Sequence, residues 1–477
     1  MQLTSSMKIA SILRHSIAAL TLLVPALAFG QGQLTPPGSA FTYPNERALT
    51  PGGLPTPSMK TLMQIDAGEH IPSRDTSNAN LNGSLGYYNL AQPGRYYLTE
   101  NLDKNILITA ENVTLDLGGF EVRYAGAGMG PIAIEAQSGL AGTIHRTKVI
   151  NGRVRGNWTL GIKLNNDSVV SGVDVSEIAT YGIKVGDDSL VDQSRVRGPW
   201  VQGPGSGGPG PHSGIYTGRA SVISACTATG IQGIGIQGQD NVRVVDCTVN
   251  DVAGCGIVTA MNASVHGCAV RTCGSTGFDL NQGSVLMNSS ATGNGDPGVH
   301  VRNGCVIHNV SSFFNMDHGF WVENTAVVGG PVVYDNATNF VHCVAQQNTG
   351  DGFHATSDCS FTHCTADRNG SPEQIGGPPA SGDGFYFSDK CRLTNCVASN
   401  NVADGYHGNN GNTIDQCSAS SNGKFGVEVA SDQNNVIRNT FRSNTMAPIQ
   451  PAPGTNGLGL VQTPNTPGVS PFANLGL

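Results

Sequence analysis

Gly298-Val299-His300-Val301-Arg302 and, 21 residues later, Gly319-Phe320-Trp321-Val322-Glu323 read alike. In each, a glycine leads an alternation that puts Val299 and Val301, or Phe320 and Val322, on one side. His300 or Trp321 falls on the other side. Period two is the signature of a strand with one buried face. Working outward, a glycine followed by an apolar residue recurs at Gly161, Gly182, Gly214, Gly235, Gly256, Gly277, Gly298, Gly319, Gly352, Gly384, Gly405 and Gly426. Most steps are 21 residues; three are 32 or 33, as expected of one repeat unit carrying a loop. No window carries a sustained helical stripe.

Other residues keep this register. Twelve positions after the glycine stand Cys226, Cys247, Cys268, Cys364, Cys396 and Cys417, with Cys343 aligned across an insertion. Seventeen after it stand Asn294, Asn315, Asn369, Asn401 and Asn422, with Asn348 aligned likewise. Identical side chains at one position of successive units form ladders, and asparagine suits a turn whose amides hydrogen-bond along the stack. A 21-residue unit of three short strands cannot bury its own apolar face, so the units must stack.

These units resemble the repeats of right-handed parallel β-helix proteins of the pectate-lyase-like superfamily. Gly94-Arg95-Tyr96-Tyr97-Leu98-Thr99 and Asn112-Val113-Thr114-Leu115-Asp116-Leu117 resemble the entry into such a helix in bacterial secreted proteins. The likeness covers about residues 94 to 445. It implies an all-β, single-stranded right-handed solenoid of about fourteen coils with N- and C-terminal caps, roughly 65 Å long at the strand spacing. It does not select an activity, because the superfamily includes lyases, hydrolases, epimerases, tailspikes and adhesins.

The remaining segments fit around that rod. Lys8 and Arg14, the apolar run from Ile17 to Leu27 and the small residues of Ala26-Leu27-Ala28 read as a signal peptide over residues 1–30. The run is short of the roughly 20 residues a membrane span needs. Export implies an extracellular or periplasmic protein. Residues 31–60, rich in Pro, Gly and Thr, read as a linker, and 61–445 as the β-helix with its N-terminal cap. Residues 446–477 read as a C-terminal tail or cap. Charged residues are 13% of the chain, about half the usual share, and the net charge of -8 argues against a nucleic-acid binder, which needs clustered Lys and Arg. The sequence leaves the oligomeric state open.

Cysteine reads mainly as core filler. Cys305, Cys359 and Cys391 form a second register seven residues after the glycine. Parallel side chains within a ladder are poorly aimed for bridging. Cys255 and Cys273 fall outside both ladders in neighbouring coils and are the candidate disulfide.

The second residue after each glycine points outward, giving Lys163, Lys184, Tyr216, Gln237, Val258, Asp279, His300, Trp321, His354, Tyr386, His407 and Glu428. From Asp279 onward the row holds rings and acids one coil apart, with Arg302 and Glu323 beside it. Asp279, Trp321, Glu323 and Glu428 are candidates for binding. His300, Arg302, His354, Tyr386 and His407 are candidates for catalysis. Insertions at 199–210, about 325–337 and 370–381 are placed to wall this face. An ordinary strand face, on which aromatic residues are also favoured, is the alternative.

Asp351, Asp383 and Asp404 precede the glycine in three successive coils, and Asp296 and Asp317 stand one position earlier. A cation such as calcium would relieve their repulsion; alternatively they serve the turn, with solvent screening the charge. No other cofactor is indicated. Asp317-His318 is too short to establish the Asp/His motif of epimerases.

A row of this kind fits a polysaccharide or surface glycan. One expectation is a lyase or epimerase acting on uronate-containing glycans, with histidine or tyrosine as acid and base and Arg302 as neutraliser. The other is a non-catalytic glycan-binding, adhesin or structural surface protein. A glycoside hydrolase, which needs two flanking carboxyl groups, is the weaker fit.

Overall fold

The computed structural model describes residues 68–476 apart from 73–79, 82, 125, 127, 138–143, 199–211, 324–336, 371–381, 451–453, 455 and 463–469. The chain divides into two compact units, residues 1–65 and 66–477, and the described residues belong to the second. The expected signal peptide and linker lie outside them, as does almost all of the three expected wall loops.

Among the described residues there is no helix. Most strands are three residues long and pair in parallel with their counterpart one coil on. Phe278–Leu280 pairs with Val299–Arg302, which pairs with Phe320–Glu323. Phe353–Ala355, Phe385–Phe387, Tyr406–Gly408 and Val427–Val429 follow in order. The insertions between glycines leave this register intact, so the outward row is unbroken. The glycine itself is required by close approach. A Cβ on Gly319 would stand 2.6 Å from the Gly352 carbonyl oxygen and 2.7 Å from the Asn348 amide nitrogen.

Three corners per coil explain the ladders. Each is made by a single residue in the left-handed region: Asn395, Gln416 and Arg438 at one corner, Arg368, Asn400 and Ser421 at the next, Asp358, Lys390 and Gln433 at the third. The inward residue that follows is a cysteine, an asparagine or another small polar group. Such a corner aims a backbone N–H along the rod axis into the interior, where an unpaired donor is costly. The side chain one coil on accepts it. Cys396 N–H donates to Cys417 Sγ at 3.4 Å, Cys391 N–H to Asn412 Oδ1 at 2.8 Å, and Asn348 N–H to Asn369 Oδ1 at 3.2 Å.

Between the corners the core is apolar. Phe320, Phe353 and Phe385 stack face to face at 4.7 and 4.6 Å, and Tyr406 continues the column at 5.1 Å. A second column, Phe340 and Phe361, meets the first edge-on. All are essentially inaccessible, each contributing about 1.5–3 kcal/mol by burial. These rings lie directly beneath Trp321, His354 and Tyr386.

The expected Cys255–Cys273 bridge is not formed, because all twelve cysteines are free thiols. Cys273 is buried and its thiol donates to the Arg271 carbonyl at 3.6 Å, as the ladder cysteines do two residues back. Parallel pairing also runs into the segments read as caps. Glu69–Ile71 already pairs with Gly94–Leu98, and Asn474–Gly476 pairs with Thr440–Arg442.

Candidate functional site

The outward row runs in register from Glu135 through Lys163 to Gln450, and its chemistry changes at Asp279. His300 and Trp321 stack at 4.6 Å, and His354 and Tyr386 at 4.6 Å; Tyr386 meets His407 edge-on at 5.2 Å. Trp321, His354, Tyr386, His407 and Glu428 are half-buried, so each presents part of itself to solvent. A column of rings at one-coil spacing is set by the strand register alone.

Three charged groups punctuate the column. In the first, Asp279 Oδ1 lies 3.1 Å from His300 Nδ1 and 3.2 Å from Arg302, while Glu323 lies 3.2 Å from His300 Nε2 and 3.6 Å from Arg302. Burial would raise the Asp279 carboxyl, but His300 and Arg302 overcome it and hold the group below its ordinary value. The Arg302 charge is engaged by two carboxylates.

The second group is His318, Asp351 and His354. Asp351 is fully buried; its Oδ2 accepts from His354 Nδ1 at 2.8 Å and its Oδ1 accepts the Asp383 N–H at 2.8 Å. His318 Nδ1 in turn accepts the Asp351 N–H at 2.9 Å. That last bond fixes the proton of a neutral His318 on Nε2. Burial lowers the His318 pKa, against the pull of Asp351. His354 therefore stands as an imidazole oriented by a buried carboxylate, with its other nitrogen at the half-exposed row.

The third group is Asp383, Asp404 and His407. Asp383 Oδ1 accepts the Asp404 N–H at 2.8 Å, and Asp404 Oδ1 accepts the Phe425 N–H at 2.7 Å. Their second oxygens approach His407 Nδ1 at 3.2 and 3.9 Å, out of hydrogen-bonding alignment. Burial and the charge of Asp351 raise Asp383. Burial, with Asp383 and Glu428 adding to it, pushes Asp404 up to about 7. Burial works against the His407 imidazolium, yet the surrounding carboxylates outweigh it and raise that group.

Solvent screening, expected for the three aspartates if they served only the turn, does not operate, because all three are buried. Service to the backbone is real: each Oδ1 caps the N–H at the same position one coil on. His318, absent from the expected site residues, occupies the same register position in the preceding coil, immediately before Gly319. That position was the available signal. Asp296 and Asp317 remain outside the ladder; Asp296 is exposed and accepts from Ser275.

A hollow of about 790 Å³ lies elsewhere, lined by turn residues such as Gly230, Val252, Gly274 and Met316. It offers little chemistry beyond Arg197 and Asp251.

A family model described as "Right handed beta helix region" matches residues 160–315. No curated protein matches the chain. Among solved structures, the Azotobacter vinelandii mannuronan C-5 epimerase AlgE4 A-module is similar at 15% identity and a TM-score of 0.37, over 79% of this chain and 93% of that one. The periplasmic alginate epimerase AlgG is similar at 10% identity and 0.37, over 75% and 84%. Pectate lyase Pel9A is similar at 16% and 0.30, over 61% and 72%. Coil-to-coil pairing and the matched region together show that this chain folds as a right-handed parallel β-helix.

Proposed function

We propose that this is a secreted, carbohydrate-active protein that lays an extended uronate-containing polysaccharide along the row from Asp279 to Glu428 and performs lyase or epimerase chemistry at His354. The observation that carries this reading is the oriented His354–Asp351 pair, 2.8 Å apart, set inside a column of rings of which Trp321, His354 and Tyr386 are half-exposed and His300 is buried. Rings such as Trp321 offer flat apolar faces to sugar rings, and the column repeats at the coil spacing.

In the proposed step, unprotonated His354 Nε2 takes the proton beside the uronate carboxyl. Its Nδ1–H stays on buried Asp351, which stabilises the imidazolium that forms. For cleavage, the electron pair forms the new carbon–carbon double bond as the bond to the leaving oxygen breaks, and Tyr386 supplies that oxygen with a proton. For epimerisation, a proton returns to the opposite face of the same carbon. Tyr386, stacked at 4.6 Å one coil on, stands beside the base in either case.

A second reading, glycan binding without catalysis, is favoured by one observation. Arg302, the expected neutraliser, is held by Asp279 and Glu323 rather than free to meet a uronate. The deciding experiment incubates the chain with a panel of uronate and neutral polysaccharides, following unsaturated-product absorbance and epimer ratio by NMR. Activity lost in His354→Ala supports the catalytic reading. Binding that weakens in Trp321→Ala, with no turnover in any glycan, supports the second; binding unaffected by Trp321→Ala removes the row from both.

A further inference from the structure

The Asp383–Asp404–His407 group and the His318–Asp351–His354 group are built from the same register positions, yet they are satisfied differently. In the latter, both Asp351 carboxylate oxygens and His318 Nδ1 have hydrogen-bond partners at 2.8–2.9 Å. In the former, Asp383 Oδ2 and Asp404 Oδ2 are both buried without a well-aligned hydrogen bond, on residues that are 1% and 0% exposed. One carboxylate oxygen from each aspartate and a His407 ring nitrogen lie within 4.8 Å of one another, and the two Oδ2 atoms stand 3.2 and 3.9 Å from His407 Nδ1. Two buried carboxylates share this one imidazole, which reaches Asp404 Oδ2 only at the longer distance, with Glu428 as a further acid beside Asp404; a single ring cannot compensate that much buried negative charge.

We propose that Asp383, Asp404 and His407 bind a first-row divalent metal ion. The donor set is two carboxylate oxygens and one ring nitrogen, which fits manganese, iron or zinc better than calcium. Calcium prefers six to eight oxygens, and imidazole suits the transition metals. The scaffold is already organised for such an ion. Each Oδ1 is held by a backbone N–H, at 2.8 Å from Asp404 and 2.7 Å from Phe425, so each Oδ2 has a fixed direction. Glu428, one coil past His407 on the outward row, lies beside Asp404 and is placed to supply a further oxygen. An ion there would neutralise the paired aspartates and fix the His407 ring. This site does not depend on the glycan reading and is the refined form of the calcium expectation: the aspartate ladder narrows to its last two members, and a histidine joins them.

The probe is Mn²⁺, which has little affinity for the thiols of a chain with twelve cysteines. Tag-free full-length protein is stripped with chelator and titrated with Mn²⁺, followed by calorimetry and by the loss of the free-ion paramagnetic resonance signal. One ion per chain is expected, with calcium competing at least about tenfold more weakly. Asp404→Asn keeps the Oδ1 acceptor for Phe425 N–H and is expected to weaken Mn²⁺ at least about tenfold; His407→Gln is expected to do the same. Circular dichroism and the melting temperature without metal establish that each variant is folded. A Mn²⁺-induced rise in melting temperature is expected in the native chain and not in Asp404→Asn. Absence of stoichiometric Mn²⁺ uptake by the folded native protein would overturn the proposal, the aspartates then sharing a proton. Uptake lost in Asp351→Asn but retained in folded Asp404→Asn would overturn it as well, by placing the ion in the neighbouring group.

Discussion

Replacing Asn348 by alanine tests whether the buried amide ladder stabilises the rod. The side chain makes four hydrogen bonds: Oδ1 accepts from Asn315 N–H at 3.1 Å and from Asn315 Nδ2 at 2.8 Å, while Nδ2 donates to Ser312 O at 3.1 Å and Asn369 Oδ1 at 2.9 Å. Truncation does not strand all of these partners. Asn315 Nδ2 keeps its bond to Ser312 Oγ at 2.9 Å, and Asn369 Oδ1 keeps the backbone N–H of residue 348 at 3.2 Å. The Asn315 N–H, however, is left buried with no acceptor, at about 1–3 kcal/mol. The bonds lost around it are worth about 0.5–1.5 kcal/mol each. Allowing for the partners that retain a bond, the expected loss is about 3–5 kcal/mol. Asn444 is the internal control. It makes the same bonds to Asn422 N–H, Asn422 Nδ2 and Ala419 O, but it is half-exposed, so water replaces part of what alanine removes. Its truncation is expected to cost about 1–2 kcal/mol. Urea unfolding of the full chain gives both values, and amide hydrogen exchange locates the loss, since a stacked solenoid can open coil by coil. Equal costs for the two variants, or less than about 1 kcal/mol for Asn348→Ala, would refute the argument from buried satisfaction.

Three further outcomes are expected. Asp351→Asn keeps an acceptor for the Asp383 N–H but sets an amide N–H₂ against His354 Nδ1. The proton then moves to Nε2, and any lyase or epimerase rate should fall about 10²–10⁴-fold with glycan affinity nearly unchanged; a rate within threefold of native would remove His354 as base. Asp279 is held below its ordinary value, so its contribution is present above the unfolded carboxyl pKa of about 4 and disappears as pH falls through the lower folded value. Melting temperatures at pH 6 and pH 2.5 should differ less in Asp279→Asn than in the native chain, and an identical difference would count against the assignment. Phe353→Ala removes a ring that stacks on Phe320 and Phe385 in the first column and meets both rings of the second edge-on, and should cost about 3–5 kcal/mol in urea unfolding. It should also loosen His354, the next residue, visible as weaker glycan binding.

The repeat carried the register because every period-two position is answered one coil later by a chemically similar residue. Val299, Phe320, Phe353, Phe385 and Tyr406 pair in sequence although two of those steps span an insertion. The outward row was legible for the same reason, as strand geometry alone decides that His300, Trp321, His354 and Tyr386 share a face. The corners were only half legible. Asparagine at position 17 signalled a turn, but the left-handed residue is the one before it, as at Arg368, Asn400 and Ser421. Those corner residues share no chemistry, so the sequence pattern falls on the inward partner that caps the N–H rather than on the turn itself. The same displacement hid the aspartates. Position by position, Asp351, Asp383 and Asp404 look like turn residues in water, because a hydrophilic side chain before a glycine ordinarily is one. Their burial comes from a distance: coils above and below close over them, and each Oδ1 is consumed by a backbone N–H a whole coil away. What then separates the three is the set of rings beside them. His354 completes Asp351, whereas His407 reaches Asp383 and Asp404 without aligning to either. The distinction between a satisfied dyad and a cradle for a cation therefore lies in side-chain angles within one ladder, a level of detail that a 21-residue period cannot encode.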